Sequence, residues 1–591
     1  THFVTASDKP LKHWAEAQFY TYNGRMTGTE AFGTWQHYRQ KAISDEVLYI
    51  FGYGDGGGGP TEEMLEAASA LDQLPGYPNI KQGRIDEFFA QLYERAWNDP
   101  RLPTWAGELY LEYHRGTYTS QSRTKQANRA AELVLREAEW LNAWAVTLGA
   151  ENQQPQLDAA WQILLLQQFH DILPGSSIPQ VYIDSNVDFA QIQRIGRAVR
   201  EAAAAAVLSS ELKVKSSELP QSSTASLDYA VFNSLPWERH ECAEIALSAD
   251  GKAPPAGAQI VEGADGTHVA LVETTLPAYS YATLRPTAST TATPLSSLVT
   301  RHSSLENGEL RLELNEHGEI ASLYDLRHGR ETIAPGTTAN QLVIYEDRPL
   351  NWSAWDIDIF YEEKPYPVHE ITDWRVTEEG PLRSAITITR RVGQSTITQR
   401  IQIWRDSRRI DFVTEVDWQE RETLLRALFP LNLNATSATC EIQFGAVERP
   451  THRNTSWDWA RFEVCAHRWV DLSEGGYGVA LLNDGKYGHS LSHNTLGISL
   501  LKGAIAPAPD ADIGIHRFTY SLLPHTGDWR AAEVTRRAYE LNAPLFATND
   551  ERRTTNDSQI PSSFVGTPTD HIVVETVKVA HDGDGLIVRL Y

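Results

Sequence analysis

Apolar side chains recur at helical spacing along three stretches between residues 120 and 210. The first, from about residue 123 to 148, is rich in Ala, Glu, Leu and Arg, which are strong helix formers. A second helix is predicted to begin near Leu157, and a third spans about 186–209. Four side chains of the second helix are spaced as a buried face: Trp161, Leu164, Leu165 and Phe169. We therefore expect a three-helix bundle.

The second helix delivers a histidine and an aspartate, His170 and Asp171, to the point where it must end. Pro174 disfavours helical geometry in the residue before it, and Gly175 admits a turn. A neutral imidazole held there is a good metal ligand, and the adjacent carboxylate can orient it or bind a sugar hydroxyl. The alternative is a core histidine that caps the helix, and one His-Asp pair does not decide between the two.

The first hundred residues are predicted to be α/β, with short buried strands at 47–51 and 103–111 and helices over 62–74 and 83–98. Thr61 suits the start of the first helix. Asp55 lies in the glycine-rich loop after the first strand, where ligands bind in α/β folds. This loop lacks the Gly-Lys-Ser/Thr ending of a phosphate-binding loop, so a flexible turn with an exposed aspartate is the stronger alternative.

From about residue 228 onward, short runs alternate between apolar and polar residues, as in 310–314 and 384–389. This alternation is typical of antiparallel β-sandwiches. Polar, low-complexity stretches predict linkers at 213–226, 286–297 and 552–561. The predicted fold class is multidomain α+β: part of an α/β catalytic domain (1–115), a three-helix bundle (116–212), a small β domain (213–297) and a large β-sandwich region (298–591).

Composition narrows the class of protein. The chain has 591 residues and a net charge of −25, from 52 Lys and Arg against 77 Asp and Glu, which argues against nucleic-acid and anionic-membrane partners. No run of 18 apolar residues predicts a membrane span. Three scattered cysteines, Cys242, Cys440 and Cys465, are typical of a reducing compartment, so we expect a cytoplasmic protein. The first residue is not Met, so the lack of a signal segment carries no weight.

Three runs lie near the predicted site: DGGGGPT at 55–61, GELYLEYHRGTYTSQ at 107–121 and QFHDILPGS at 168–176. Together they resemble glycoside hydrolase family 38, the α-mannosidases, in its bacterial and cytosolic or vacuolar branch. Later runs agree and follow in order: VFNSLPW at 231–237, YEDRP at 345–349 with AWD at 354–356, NDGKYG at 483–488 and LPHTGDW at 523–529.

The resemblance implies a retaining exo-glycosidase that removes terminal α-mannose from oligosaccharides, with a divalent metal, zinc or alternatively cobalt, that binds the mannose hydroxyls. By motif, His170 resembles the last metal ligand of the family, and Asp171 resembles the carboxylate that contacts the sugar. Asp55 resembles the acid/base. His114 and Tyr118 are expected to form part of the wall of the sugar pocket. The β region is expected to be similar to galactose mutarotase, and related enzymes suggest a homo-oligomer.

The chain also departs from the family pattern. A His-x-Asp pair and a nucleophilic aspartate, which the family places near its N-terminus, have no equivalent in this sequence, and the last strands are missing. We therefore expect a chain truncated at both ends that does not cleave an aryl α-mannoside by itself. Two alternatives stay open: a non-catalytic carbohydrate-binding or scaffold protein, and a glycosidase with another sugar specificity. Four further histidines are interpreted as structural: His489, His493, His516 and His525.

Overall fold

The computed structural model describes residues 23–54, 57–215, 228–247, 254–263, 266–285, 299–301, 303–550, 562–566 and 572–591. These residues divide into two compact units that meet between Leu109 and Tyr110. The predicted linkers at 213–226, 286–297 and 552–561 lie wholly or largely outside the described residues, and so does Asp55.

The described residues of the first unit form three helices: α1 (Gly28–His37), α2 (Glu62–Asp72) and α3 (Ile85–Ala96). The prediction for α2 is confirmed to within two residues, and Thr61 caps it by accepting a hydrogen bond from Met64 N at 3.3 Å. A small core of Met26, Met64 and Ala68 fixes α2 within this unit.

The two strands predicted in this segment are wrong. Phe51 makes an isolated parallel bridge with Gly24, and residues 47–50 form no strand. Residues 103–111 are also irregular, and Leu109 is 84% exposed. An apolar run becomes a strand only when a partner supplies hydrogen bonds to its backbone, and among the described residues neither run finds a neighbouring strand.

The second unit begins with three long helices and has two shorter ones further on: α4 (Ser122–Thr147), α5 (Gln154–Gln167), α6 (Pro179–Lys215), α7 (Ser456–Ala460) and α8 (Val534–Asn542). The first three share a buried core, so the expected bundle is confirmed. Helix α6 begins seven residues earlier than predicted, because Pro179 is tolerated in a first helical turn. The core residues are Ala131, Leu135, Leu157, Leu164, Phe189 and Ile192 with four further side chains.

The buried face predicted for α5 is correct only in part. Leu164 is fully buried, but Leu165 and Phe169 are 61% and 52% exposed. The buried side of α5 instead follows Leu157, Ala160, Leu164 and Gln167. Since this face repeats every three to four residues, Leu165 falls outside it by about 100°.

The rest of the second unit is antiparallel β structure. Its strands, in chain order, are β1 (Asp228–Asn233), β2 (Arg239–Ala246), β3 (Gln259–Glu262), β4 (His268–Leu276), β5 (Ser280–Leu284), β6 (Val299–Arg301), β7 (Ser304–Glu306), β8 (Leu310–Leu314), β9 (Ile320–Asp325), β10 (Arg330–Glu331), β11 (Gln341–Glu346), β12 (Pro365–Pro367), β13 (Glu370–Glu379), β14 (Arg383–Val392), β15 (Ser395–Trp404), β16 (Ile410–Trp418), β17 (Thr423–Pro430), β18 (Ser437–Ile442), β19 (Gly445–Pro450), β20 (Val464–Cys465), β21 (Trp469–Glu474), β22 (Tyr477–Asn483), β23 (Gly488–Ser492), β24 (Thr495–Lys502), β25 (Gly514–Thr526), β26 (Phe546–Asp550), β27 (Ser562–Ser563), β28 (Val574–Val579) and β29 (Leu586–Leu590).

Two large sheets dominate this region. One has the strand order β13-β14-β15-β16-β25-β22-β21-β18-β19, and the other has the order β12-β11-β17-β24-β23-β20. Their inner faces share one core, to which Ile401 and Phe412 come from the first sheet and Ala427 and Ile498 from the second. The third contributor is the sheet β10-β9-β8-β7-β6, through Leu312 and Leu323. The predicted fold class, multidomain α+β with a helical bundle and antiparallel sheets, is confirmed.

Three smaller sheets complete the unit: β26-β1-β5-β27, β2-β4-β3 and the hairpin β28-β29. The hairpin packs on the helices, where Val577 and Val579 share a core with Trp140 and Trp144 of α4. In the part of the chain that the structure describes, none of the helices is both long and apolar enough to cross a membrane. The domain boundaries proposed from the sequence stay a prediction.

Candidate functional site

His170 and Asp171 lie in a tight turn, here called the His170 turn (residues 168–177), between α5 and α6. His170 is exposed over 77% of its side chain, and Asp171 over 40%. Nε2 of His170 lies 3.3 Å from Oδ2 of Asp171, and the imidazole packs on Phe169 with ring centroids 4.3 Å apart. An exposed imidazole is not a core histidine, so that alternative is excluded.

The backbone and side chain of Asp171 are fixed by the residues that follow it. Ser176 Oγ donates to Asp171 Oδ1 at 2.8 Å, and Ser177 Oγ donates to the Asp171 carbonyl at 2.9 Å. Tyr182, which is buried in α6, donates to the same carbonyl at 3.3 Å and accepts from Ser177 N at 2.7 Å. The turn therefore presents Asp171 Oδ2 and the imidazole from a fixed backbone.

The residues before α4 form a second candidate segment, the His114 loop (residues 112–121). It contains two short 3₁₀ turns, Glu112–His114 and Gly116–Tyr118. Gly116 N donates to the Trp355 carbonyl at 2.7 Å, and a Cβ at Gly116 would lie 2.7 Å from Cε of Lys502. Only glycine fits such a close approach to the β-sandwich.

Charged side chains hold the His114 loop on the β-sandwich. Arg115 donates to the Ala460 carbonyl at 2.9 Å through Nη2, and its guanidinium lies 4.4 Å from the centroid of the Phe462 ring. Just before the loop, Tyr110 Oη donates to the Glu463 carbonyl. These contacts fix the N-terminal half of the loop.

The two candidate residues of this loop are half-buried and uncharged. Burial lowers the pKa of His114, although the carboxylate of Asp171 opposes that shift, and Nδ1 of His114 is buried without a hydrogen-bond partner among the described residues. Burial also raises the pKa of Tyr118 far above its ordinary range. Because Asp171 acts electrostatically on His114, the structure brings these two predicted site residues close to each other.

The His114 loop and the His170 turn touch at Gly175. Its φ is +93°, and a Cβ added there would lie 2.3 Å from the Ser120 carbonyl oxygen. Ser120 is fully buried, and its Oγ donates to the Ala354 carbonyl at 2.7 Å. The turn, the loop and the segment around Ala354 therefore pack directly on one another.

The sequence reasoning missed the ionisable residues that surround the start of α4. Lys125 is buried, and so are Lys486 and Asp512. Asp512 Oδ1 accepts from Ser122 N at 2.7 Å, and Lys486 Nζ donates to the Leu500 carbonyl at 2.6 Å. The first turn of α4 reads Ser122-Arg123-Thr124-Lys125, and this polar pattern does not distinguish the buried Lys125 from an exposed lysine. Lys486 lies in the NDGKYG run that supported the family resemblance.

One group of possible metal ligands is present among the described residues, and it is not part of the His170 turn. It consists of His240, Glu273 and Asp406, all of them exposed. Arg405 donates to both carboxylates, at 2.5 Å to Glu273 and at 2.8 Å to Asp406. Arg405 already bonds both of these acids, so this group is a surface ion cluster.

The comparisons with known proteins agree on one family. The glycosyl hydrolases family 38 N-terminal domain matches residues 1–108, the alpha mannosidase middle domain matches 112–207, and the glycosyl hydrolases family 38 C-terminal domain matches 305–510. An alpha-mannosidase from Enterococcus faecalis has the same fold, with a TM-score of 0.70 over 90% of this chain and 69% of that chain, at 16% identity. Fold and domain order thus define a glycoside hydrolase scaffold.

The curated relatives are nearer in sequence. Alpha-mannosidase 2C1 of Homo sapiens is 36% identical and alpha-mannosidase G of Dictyostelium discoideum is 33% identical, each over 98% of this chain. The chain belongs to glycoside hydrolase family 38. It spans about half the length of these relatives, 54% of the first and 56% of the second.

Proposed function

We propose that this chain acts in a retaining exo-α-mannosidase that removes terminal α-linked mannose from oligosaccharides. The observation that carries the proposal is the exposed His170–Asp171 pair on a fixed turn, in a chain that belongs to family 38. The names of the relatives support the sugar: proteins 32–36% identical to this chain are called alpha-mannosidases.

Asp171 is suited to bind a sugar hydroxyl. An ionised carboxylate only accepts hydrogen bonds, and Ser176 already occupies Oδ1. Oδ2 is left facing the His170 imidazole at 3.3 Å and the solvent. A sugar hydroxyl can donate to this oxygen.

His170 is the residue that would hold a metal ion. A zinc ion, when bound, would polarise and orient the hydroxyls of a mannose. Zinc takes about four ligands, and the described residues bring one imidazole to the turn. The donor set therefore fits in part, and we place the remaining ligands outside the described residues. Cobalt is the alternative metal.

The other predicted residues take roles around this pair. His114 and Tyr118 form part of the wall of the sugar pocket, because both are half-buried on a loop that touches the His170 turn. Asp55 is proposed as the acid/base that protonates the leaving oxygen in a retaining reaction.

A non-catalytic carbohydrate-binding protein is the second candidate. One observation favours it: among the described residues, the one group of three possible metal ligands excludes His170 and is held by Arg405. A binding protein would keep the Asp171 contact with a sugar but would release no product.

The gene product, as isolated and loaded with Zn²⁺, tests the proposal. We expect it to hydrolyse 4-nitrophenyl α-mannoside but not the β-anomer, and to release α-mannose first, as seen by ¹H NMR. His170→Ala should abolish turnover. The matched control is His581→Ala, because His581 is 90% exposed and pairs with Asp158 at 2.8 Å. Mannoside binding without hydrolysis would favour the second candidate, and neither binding nor hydrolysis would overturn both.

We further propose a cytoplasmic location and a homo-oligomer. The location is supported by the cysteine content, since the chain has only three cysteines in 591 residues and they lie far apart in the sequence. Gel filtration with light scattering of the purified chain measures the oligomer directly.

A further inference from the structure

Beside the proposed sugar contacts, the Lys125 side chain connects the His170 turn to the His114 loop. Lys125 is in the first turn of α4 and is 4% exposed. Its ammonium donates to three backbone carbonyls: Ser120 of the His114 loop, Leu173 at 2.9 Å and Pro174 at 3.0 Å. One side chain thus bonds both candidate segments.

Two effects make this position unfavourable for a cation. The N-terminal end of a helix carries partial positive charge, which repels an ammonium. Burial disfavours the charged form further and lowers the pKa of Lys125 to about 7. Asp512 and Cys465 act electrostatically to favour the charged form of Lys125, and Lys486 opposes it. An ammonium persists at such a site only when its hydrogen bonds are satisfied, and three carbonyl oxygens match its three donors.

The bonded carbonyls lie close to the residues with proposed roles. Leu173 and Pro174 follow Asp171 by two and three residues, and Ser120 follows Tyr118 by two. Ser120 also contacts Gly175, so the ammonium sits where the two segments already touch. A shift of either segment would change the spacing between Asp171 and His114.

We propose that Lys125 is a positioning residue: its ammonium ties the His114 loop to the His170 turn and so fixes the spacing of the residues that bind the sugar. The identity of the bound sugar rests on the proposed function, but the connection between the two segments does not. A binding site requires its contacts to be held to within about 0.5 Å, and Lys125 acts by restraining the backbone that carries them.

Hydrogen exchange measured by mass spectrometry tests the tie in the 591-residue chain without reference to activity. In Lys125→Met, we expect peptides covering 112–121 and 168–177 to exchange about tenfold faster or more, because charge-assisted hydrogen bonds are lost. Lys578→Met is the matched control: it removes a lysine that bonds Glu139 at 3.4 Å, further along the same helix α4. Unchanged exchange of both peptides in Lys125→Met would overturn the proposal.

A second measurement applies if Lys125→Met does not fold. In the unsubstituted chain, a neutral amine at pH 9 offers two donors to three carbonyls, so protection of the same peptides should fall at least threefold relative to pH 6, after correction for intrinsic exchange. A peptide within 190–205 of α6 serves as the internal control. Equal protection at the two pH values would count against the tie.

Kinetic measurements on the gene product distinguish a positioning role of Lys125 from a purely stabilising one. If Lys125 positions Asp171 and His114, Lys125→Met should raise KM for 4-nitrophenyl α-mannoside about tenfold, and Lys578→Met should not. If Lys125 only stabilised the fold, the folded fraction would keep its KM and only the apparent kcat would fall, which would overturn the proposal. Faster exchange in a gene product that hydrolyses no mannoside would support the tie while counting against the proposed function.

Discussion

The His170 turn and the β-sandwich beneath the His114 loop use ionisable side chains in opposite ways. In the sandwich, charges are buried as pairs: Arg426 and Glu463 lie 2.6 Å apart with 1% and 0% of their side chains exposed. On the turn, His170 and Asp171 are paired at 3.3 Å and are 77% and 40% exposed. A pair that no ligand can reach is structural, whereas an exposed pair on a fixed backbone is available for chemistry. Accessibility, and not the presence of a pair, therefore separates the two roles.

The largest expected effect comes from breaking the buried pair. Arg426→Met leaves Glu463 buried without its cation, and Tyr361 Oη loses the donor that lies 3.0 Å away. The free energy of unfolding should fall by about 3–5 kcal/mol, as measured by urea denaturation.

The control for this change is an exposed arginine. Arg421 pairs with Asp510, and the two side chains are 53% and 64% exposed. Arg421→Met should cost no more than about 1 kcal/mol. If the two variants lose similar stability, burial does not distinguish structural charges in this protein.

These charge pairs mark the limit of what the sequence could predict. The three helices and the Thr61 cap depend on residues within one or two turns of each other, and all were found. Arg426 lies on β17 and Glu463 lies just before β20, 37 residues away, and Lys125 bonds Pro174 from 49 residues away, so no local pattern encodes either contact. The failed strands at 47–51 and 103–111 have the same cause, since a strand depends on a partner elsewhere in the chain.

The same distinction between local patterns and long-range contacts applies to the candidate site. The motifs predict roles for His170, Asp171, His114 and Tyr118, because a motif consists of residue types at fixed spacings that can be found in the sequence. The side chains that hold these residues, such as Tyr182 on the Asp171 carbonyl, carry no signal of their own. Burial near a helix end is also hard to predict from the sequence. Leu165 and Phe169 are apolar and were predicted to be buried, but both are exposed beside the turn.

The second prediction concerns the contact that fixes the turn. Gly175→Ala places a Cβ 2.3 Å from the Ser120 carbonyl oxygen at a φ of +93°. We expect a loss of about 2–3 kcal/mol, from backbone strain together with a steric clash, as measured by urea denaturation.

The control variant, Gly149→Ala, measures the backbone strain without a steric clash. Gly149 follows α4 with a φ of +89°, but a Cβ there meets nothing within 4 Å. This variant should lose only about 1 kcal/mol. Equal losses for the two glycines would mean that the His170 turn is not fixed by its contact with Ser120.

The third prediction concerns the pH dependence of stability that arises from a buried histidine, His489. His489 is fully buried, and burial lowers its pKa to about 3. Below pH 6.5 the unfolded chain protonates this histidine and the folded chain does not, so its contribution reduces stability as the pH falls, by about 1.4 kcal/mol per pH unit until about pH 3. His489→Asn keeps a donor near the Tyr487 carbonyl and removes this dependence.

Urea denaturation at pH 6.5, 5.5 and 4.5 measures the difference. The stability of the unsubstituted chain relative to His489→Asn should fall by about 1.4 kcal/mol for each unit of pH. Because every other titrating group is common to both proteins, the difference isolates one histidine. A constant difference across the three pH values would contradict the burial of a neutral imidazole.

The smallest effect on stability is expected at the residue with the proposed chemistry. His170→Ala removes a side chain that is 77% exposed and contacts mainly Phe169 and Asp171, so the free energy of unfolding should change by less than about 0.5 kcal/mol. His581→Ala, at another exposed His-Asp pair, should change the free energy of unfolding equally little. The two should differ in Co²⁺ titrations of the gene product followed by visible absorbance, where only His170→Ala loses binding. A large loss of stability would instead place His170 with Arg426 and Glu463 among the structural residues, and equal Co²⁺ binding by both variants would remove its proposed role as a ligand.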